Sequence, residues 1–405
     1  AGHRGRDVPL AVRKRRPGGE PEAAPQPALG TVEPGPSARQ HHIGLAVAYN
    51  VWQYFQVTHD LDFLIESGAE LLVEIARFWA DIATYDPRHD RYAIRGVIGP
   101  DEFHSGYPPE APYDGIDNNA FTNVMAVWVI RRALDALATI PQRDRVNLLD
   151  EIDLREPELE LWRTLTCRMF VPPFHDGTIS QFEGYDELVE LDWDAYRAEY
   201  GNIQRLDRIL EAENDDVNRY KVSKQADVLM LFYLLSAEEL RELLERLGYG
   251  LPPEMIPHTI DYYMSRTSHG STLSSVVHAW VLARGDREHA VSFFERVLDS
   301  DITDIQGGTT SEGIHLAAMS GSIDLLQRCF TGLELRDDRL ILNPRWPRSL
   351  GVLSFRVYYR RHRLQLRVSG SGVEVTSEKR DVAPIDVQCR EKLVQLAPGT
   401  TVRFR

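Results

Sequence analysis

The sequence predicts a mainly α fold, a helical toroid or another large all-α array, followed by a small antiparallel β domain. Three observations carry that expectation. Apolar residues recur at helical spacing from His41 to about residue 330, with no sheet-like stretch long enough to organise them. After Leu333 the period switches to two, between Gly, Pro and Asp turns. Residues 1–40 show neither period.

Residues 1–40 hold no Phe, Tyr or Trp and are crowded with Pro, Gly, Ala and Arg. Such a segment cannot bury enough surface to offset its ordering entropy, so it reads as a disordered or aberrant N-terminal segment. The helical domain is assigned to 41–333. Leu45, Ala48, Trp52 and Phe55 fall on one helical face, as do Leu64, Gly68, Leu72, Ile75 and Trp79. The pattern returns at Phe121, Val124, Met125 and Trp128; at Val228, Leu231, Phe232 and Leu235; and at Leu273, Val276, Val277 and Trp280. Two more follow, at Phe293, Phe294, Val297 and Leu298 and at Ile314, Ala317, Ala318, Leu325 and Leu326. With weaker candidates this makes about ten helices. Residues 334–405 form the β domain, with strands in RLILNP, VLSFRVYYRRHRLQLRVSG, GVEVTSE and TVRFR, expected to layer against the helices.

At 405 residues, with 43% hydrophobic and 26% charged residues, the chain can build a sizeable core. No apolar run approaches the roughly 18 residues of a membrane span. A net charge of -15 argues against a nucleic-acid partner, which calls for a basic face. Cys167, Cys329 and Cys389 are spaced for neither a disulfide framework nor a zinc site, so no metal is expected and the thiols read as core filler. With no signal-peptide apolar stretch at the N-terminus, we expect a reducing, cytoplasmic setting.

Four polar stretches could carry chemistry. In GVIGPDEFHSGYPPEAPYDGIDNNAFTN, residues 96–123, Gly99 and Pro100 break the chain ahead of Asp101, Glu102 and His104. Asp117, Asn118 and Asn119 sit where a helix starting near Ala120 needs an N-cap. A carboxylic acid between backbone breakers can serve as a general acid if part-burial keeps its proton, which marks Glu102. In NRYKVSKQADVLMLFYLL, residues 218–235, Lys221 and Lys224 are expected to open an apolar helix. That end of the macrodipole disfavours a cation, so either a polar ligand compensates or the lysines snorkel to solvent. SRTSHGSTLSSVVHAW, residues 265–280, sets Ser268, Ser271, Thr272 and Ser274 at a helix start, either as caps or as an anion site. It lacks the Gly-x-x-x-x-Gly-Lys pattern of a nucleotide loop. IQGGTTSEGIHLAAM, residues 305–319, is a Gly/Thr loop entering a helix with His315 in its first turn.

Taken in order, these stretches resemble glycoside hydrolase family 65, the inverting phosphorylases of maltose, trehalose, kojibiose and related disaccharides. GPDEFH with DNNAFTN is similar to the family's acid loop, which usually has Tyr where Phe103 stands. KVSKQADV is similar to its sugar-binding lysine segment, and RTSHGSTLS and GGTTSEGIH to its phosphate loops. QHHIGLAVAYNVWQYFQVT and GAELLVEIARFWA are similar to scaffold helices before the acid loop. The resemblance implies an (α/α)6 toroid, here incomplete, with a C-terminal β domain. It also implies Glu102 as general acid, Lys224 and Gln225 as glucose contacts, and Gly270, Ser271, Ser274 and His315 as holders of inorganic phosphate.

The implied reaction cleaves an α-linked glucose disaccharide with phosphate to β-glucose 1-phosphate and a sugar. Inorganic phosphate is then a co-substrate and no cofactor is called for. An inverting hydrolase needs a second carboxylate to activate water, whereas phosphate is already an anionic nucleophile. A trehalase-like hydrolase of the same fold and an inactive sugar-binding remnant are the rival expectations, and a homodimer follows from the family's habit. Family members also carry an N-terminal β-sandwich, a linker and further toroid helices with a Trp-Asp motif, which implies that this chain is the C-terminal part of a longer enzyme. Relatives hold an aromatic-rich segment where residues 1–40 stand, so that stretch reads as translated out of frame or as a divergent linker.

Overall fold

A computed structural model describes residues 36–108, 114–173, 178–283, 285–303, 313–336, 338–370 and 372–405. The expected disordered or aberrant segment therefore lies, up to residue 35, outside the described residues, as do residues 305–312 of the fourth polar stretch.

The fold is mainly α, a helical array of the (α/α)6 type followed by a β domain. Helix α1 (His42–Thr58) buries Leu45, Ala48, Tyr49, Trp52 and Phe55 on one face. It stops at His59, whose left-handed backbone lets its N–H return to the Phe55 carbonyl. Asp60 caps the single turn α2 (Leu61–Phe63), which runs through a π-turn, Leu64–Gly68, into α3 (Ala69–Ile82). A short hairpin, β1 (Thr84–Asp86) with β2 (Arg91–Ala93), precedes the acid loop. Helix α4 (Ala120–Thr139) is buried on all sides of its first three turns, the pattern of a central helix.

Around it come α5 (Gln142–Glu151), α6 (Glu156–Arg168), α7 (Trp193–Tyr200), α8 (Leu206–Ala212), α9 (Asp227–Leu234), α10 (Ala237–Arg246), α11 (Met255–Met264), α12 (Thr272–Leu282), α13 (Arg287–Asp299) and α14 (Leu316–Asp324). Fourteen α-helical segments among the described residues exceed the ten expected. The extra ones, such as α5 and α7, are short and rich in charge, so they show little apolar period. Helices α3 and α4 pack as one neighbouring pair, α12 and α13 as another.

The β domain consists of two four-stranded sheets. One has the order β10-β7-β6-β5 and is wholly antiparallel, from β5 (Val352–Tyr359), β6 (His362–Ser369), β7 (Gly372–Ser377) and β10 (Thr401–Phe404). Strand β6 buries His362, Leu364, Leu366 and Val368 and turns Arg363 and Arg367 outward. The single run read as VLSFRVYYRRHRLQLRVSG is a hairpin turning at Arg360 and Arg361, both at positive φ.

The other sheet has the order β3-β4-β8-β9, from β3 (Glu334–Leu335), β4 (Arg339–Leu342), β8 (Ile385–Cys389) and β9 (Lys392–Leu396). Here the antiparallel expectation needs correction, because β4 and β8 pair in parallel with Leu340 opposite Val387. The chain leaves β4, builds three strands of the other sheet and returns in the same direction. One core joins both sheets to α12, α13 and α14 through Val276, Phe294, Leu325, Trp346 and Leu366, and a second fills the space around α4.

The cysteines are reduced thiols: Cys389 is buried and Cys329 half-buried, but Cys167 is exposed on α6 and fills no core. Among the described residues no helix is long and apolar enough to cross a membrane. The described parts of the four polar stretches lead into α4, α9, α12 and α14.

Candidate active site

Gly99, Pro100, Asp101 and Glu102 form a tight turn closed by the Glu102 N–H on the Gly99 carbonyl at 3.1 Å. Proline suits the second position of such a turn and glycine the fourth. Glu102 occupies that fourth position with a left-handed φ of 63°. A non-glycine residue persists there only when its surroundings over-determine it.

Those surroundings are a buried polar network. Asp101, 2% exposed, accepts the backbone N–H of Lys224 at 2.6 Å and of Gln225 at 2.8 Å on one oxygen. Its other oxygen takes Gln181 Nε2 at 3.1 Å. The Asp101 N–H in turn donates to Asp227 Oδ1 at 2.7 Å, and Asn119 Nδ2 donates to Asp227 Oδ2 at 2.7 Å. Burial pushes the Asp227 carboxyl well above the usual carboxylate range, and the neighbouring Asp101 adds to that, while both hydrogen bonds pull the other way. A Cβ on Gly99 would stand 2.0 Å from Asp227 Oδ2, so only glycine lets the turn close this tightly.

The three residues before α4 divide their work. Asn119 alone caps the helix, accepting the Thr122 N–H at 2.9 Å. Asn118 accepts the Ile94 N–H at 3.2 Å, and Asp117 accepts the Gly96 N–H at 3.1 Å, so both brace the loop's other limb. Buried His104 packs on Phe182 and is hydrogen-bonded through Nε2 to the Tyr220 carbonyl at 3.0 Å.

With Asp101 turned inward, Glu102 is left facing Lys224 and Gln40. Glu102 Oε2 lies 3.0 Å from Lys224 Nζ, and Oε1 accepts Gln40 Nε2 at 3.1 Å, with the glutamate side chain 37% exposed. Lys224 does not open a helix, contrary to expectation. The helix begins three residues later at Asp227, an acid at the dipole's positive end, so the lysine's partner is Glu102 rather than the macrodipole.

The lysine segment is stitched to the serine loop. The Ser223 N–H donates to the Arg266 carbonyl and the Ser268 N–H to the Ser223 carbonyl, each at 2.8 Å. A Cβ on Gly270 would lie 2.4 Å from the Gln204 carbonyl oxygen and 3.2 Å from Lys224 Cγ, so a bare backbone is required beside the lysine. Ser271 caps α12, accepting the Leu273 N–H at 3.2 Å. Ser274 is fully buried, with its Oγ 2.8 Å from His269 Nδ1. His315 stands at the N-cap position of α14, not inside its first turn, and is held by Asp301 at 2.6 Å.

A cavity of about 610 Å³ opens alongside, lined by His42, Pro100, Gln225, Met230, Asp324 and Arg328 among others. Gln225 is 4% exposed, gives its amide N–H to Met230 Sδ at 2.8 Å, and leaves Oε1 buried without a hydrogen-bond partner. Asp324 on the same wall is held by Arg328 at 3.3 Å and by the Tyr233 hydroxyl at 3.1 Å. Glu102 and Lys224 are thus in direct contact, with Gln225 next to the lysine in the chain and the Gly270 backbone beside the lysine side chain. Ser271, Ser274 and His315 stand at the N-terminal ends of two helices whose next turns, from Leu273 and Ala317, line the cavity. Gln40, Gln181 and Asp227 are further neighbours of the acid loop; Gln40 and Asp227 fall inside the motif stretches without being singled out there, and Gln181 lies outside all of them. Among the described residues no cluster of three or more His, Cys, Asp or Glu is placed to hold a metal ion.

Residues 1–324 match the family model for the glycosyl hydrolase family 65 central catalytic domain, and residues 333–396 match that for the family's C-terminal domain. The chain is 63% identical over 376 residues to an uncharacterized glycosyl hydrolase of Mycobacterium tuberculosis strain H37Rv, covering 93% of this chain and 28% of that protein. It is 35% identical over 373 residues to trehalose 6-phosphate phosphorylase of Lactococcus lactis, covering 92% of this chain and 46% of that enzyme. A solved human-microbiome structure assigned as a kojibiose phosphorylase has the same fold, with a TM-score of 0.71 at 22% identity over 91% of this chain and 50% of that one. The chain spans less than half the length of these two curated relatives.

Proposed function

This chain belongs to glycoside hydrolase family 65, and from that membership we propose that the protein carrying it is an inverting phosphorylase of an α-linked glucose disaccharide. One observation supports phosphorolysis over hydrolysis. Of the acidic groups around the site, Asp101 and Asp227 are committed to backbone and amide N–H groups, and Asp324 to Arg328 and Tyr233. Among these described groups Glu102, paired only with the side chains of Lys224 and Gln40, is the one we read as facing a sugar. An inverting hydrolase would need a second carboxylate as base, whereas phosphate brings its own negative charge.

In this reading Glu102 donates its proton to the glycosidic oxygen as the bond from that oxygen to the glucose C1 breaks. A phosphate oxygen attacks C1 from the opposite face, giving β-glucose 1-phosphate and the free acceptor sugar. Gln225 Oε1 accepts a glucose hydroxyl, which satisfies its buried lone pairs. Lys224 gives an N–H to another hydroxyl. That contact draws the ammonium away from Glu102. Gly270, Ser271, Ser274 and His315 hold the phosphate at two helix N-termini, where the dipoles favour an anion.

The test is Glu102→Gln with phosphate-dependent glucose 1-phosphate formation as the readout. A general acid contributes about 10²- to 10⁴-fold, so turnover should fall by about 10³-fold while sugar binding by calorimetry is kept. Surviving turnover would remove Glu102 from the acid role. Sugar release independent of phosphate would select the hydrolase instead.

A further inference from the structure

We propose that His269 is a positioning residue for the phosphate subsite: its Nδ1–H donates to Ser274 Oγ and so turns the Ser274 hydroxyl hydrogen outward, toward the anion. The proposal rests on the reading of Ser274 as a phosphate holder. His269 is clamped between two fixed neighbours. Ser268 is hydrogen-bonded to the Ser223 backbone, and Gly270 is pressed on the Gln204 carbonyl. Its own backbone is left-handed at a φ of 59°, a conformation that histidine adopts at a cost. That backbone aims the ring at the first turn of α12, where Nδ1 reaches Ser274 Oγ at 2.8 Å.

The ring is fixed from behind. Ser274 and His278 are four residues apart on α12 and share a face. The His269 ring meets the His278 ring edge-on at 4.6 Å and the Phe293 ring at 5.4 Å. His278 is fully buried and neither of its nitrogens has a hydrogen-bond partner, so it acts as a neutral packing wall. Burial pushes the His269 imidazole down to about 4, and the Arg296 and Arg197 guanidinium groups oppose a further positive charge.

A neutral imidazole carries one N–H, and its placement decides what Ser274 offers. With the hydrogen on Nε2, Nδ1 accepts the serine proton and the hydroxyl presents only lone pairs, which repel phosphate. With the hydrogen on Nδ1, the bond runs from histidine to serine and the hydroxyl hydrogen is left for the anion. Phosphate binding therefore selects the second tautomer.

Calorimetric titration of inorganic phosphate into the 405-residue chain tests this with His269→Ala, His269→Asn, His269→Gln and Ser274→Ala. Loss of a hydrogen bond to an anion typically weakens binding by about tenfold or more, so Ser274→Ala and His269→Ala should each do so. The double variant should bind no more weakly than Ser274→Ala alone. Asparagine tolerates the left-handed backbone and carries an amide N–H near the Nδ1 position, so His269→Asn should restore affinity to within about threefold. Glutamine carries its amide near Nε2 and should not, which keeps the comparison decisive if the alanine variant fails to fold. An intact affinity in His269→Ala beside a weakened Ser274→Ala, or equal behaviour of Asn and Gln, overturns the positioning role. An unchanged Ser274→Ala, or a parent chain that binds no phosphate, overturns the phosphate reading itself.

Discussion

The acid loop and the serine loop both end in a helix N-terminus, but they are held in opposite ways. The acid loop is fixed by partners far away in sequence: Asp101 is bonded to Gln181, Lys224 and Gln225, and Asp227 reaches back 126 residues to the Asp101 N–H. In the serine loop the two hydroxyls read as phosphate holders are bonded locally, Ser271 to Leu273 and Ser274 to His269, while Thr267 and Ser268 tie only the start of the loop to Ser223 and Gln204. A proton donor must meet the glycosidic oxygen at one angle, so its turn is tied to several elements. A phosphate holder needs convergent donors, which one loop entering one helix can supply. The difference teaches that geometry shared across the fold and geometry made within one turn should fail differently.

The largest effect is expected at Asp227. Asp227→Ala strands the Asp101 N–H in a buried site and leaves the Asn119 amide only the Gln181 carbonyl, and removing one partner of a buried charged network costs about 3 to 5 kcal/mol. The urea midpoint should drop accordingly. The Glu102 turn loses its anchor at the same time, so turnover should fall even under conditions where the variant remains folded. A stable variant with normal turnover would show that the long-range network does not hold the acid.

That contrast also governs what can be read from residues alone. Breakers at Gly99 and Pro100, hydroxyls before α12 and a carboxamide before α4 act within a few positions, so their types and spacing announce them. Which of Asp117, Asn118 and Asn119 caps the helix is not legible, because Ile94 and Gly96 compete for two of them from across the loop. Asp101 shares the turn with Glu102, and only the fold shows it directed inward onto Lys224 and Gln225. Gln181 lies in none of the motif stretches, and Gln40 opens one whose apolar period speaks only for a scaffold helix. Within the β domain, the alternation of β6 is plain, but the parallel pairing of β4 with β8 depends on strands made in between. Lys224 misleads by its position near a helix start, since its charge is answered by a residue 122 positions earlier.

The serine loop should show itself through pH. His269 sits at about 4 in the folded chain against an ordinary 6.5, with burial as the main cause. The unfolded chain therefore takes up the proton first as pH falls, and folding stability declines through 6.5 toward 4. Protonation of this one group should cost about 3 kcal/mol by pH 4. His278, held still further below its ordinary value by burial, acts in the same direction. Carboxylates contribute their own loss in this range, so the measurement is the difference between parent and His269→Asn in urea midpoint at pH 7 and pH 4.5. The variant should lose less stability on acidification, and parallel losses would mean that His269 is not kept neutral by the fold.

The smallest effect is the sharpest probe of independence. Ser271→Ala removes the oxygen that accepts the Leu273 N–H, a helix cap worth about 1 kcal/mol. Its damage should stay within the serine loop, with weaker phosphate binding and unchanged sugar binding, since Glu102 and Lys224 are positioned by Asp101 and not by α12. The Ser223 to Ser268 backbone bonds are the route by which a disturbance could spread. If sugar affinity falls together with phosphate affinity, those bonds couple the two loops. The division between fold-wide and local construction would then stop at Gly270, where the serine loop leans on Lys224.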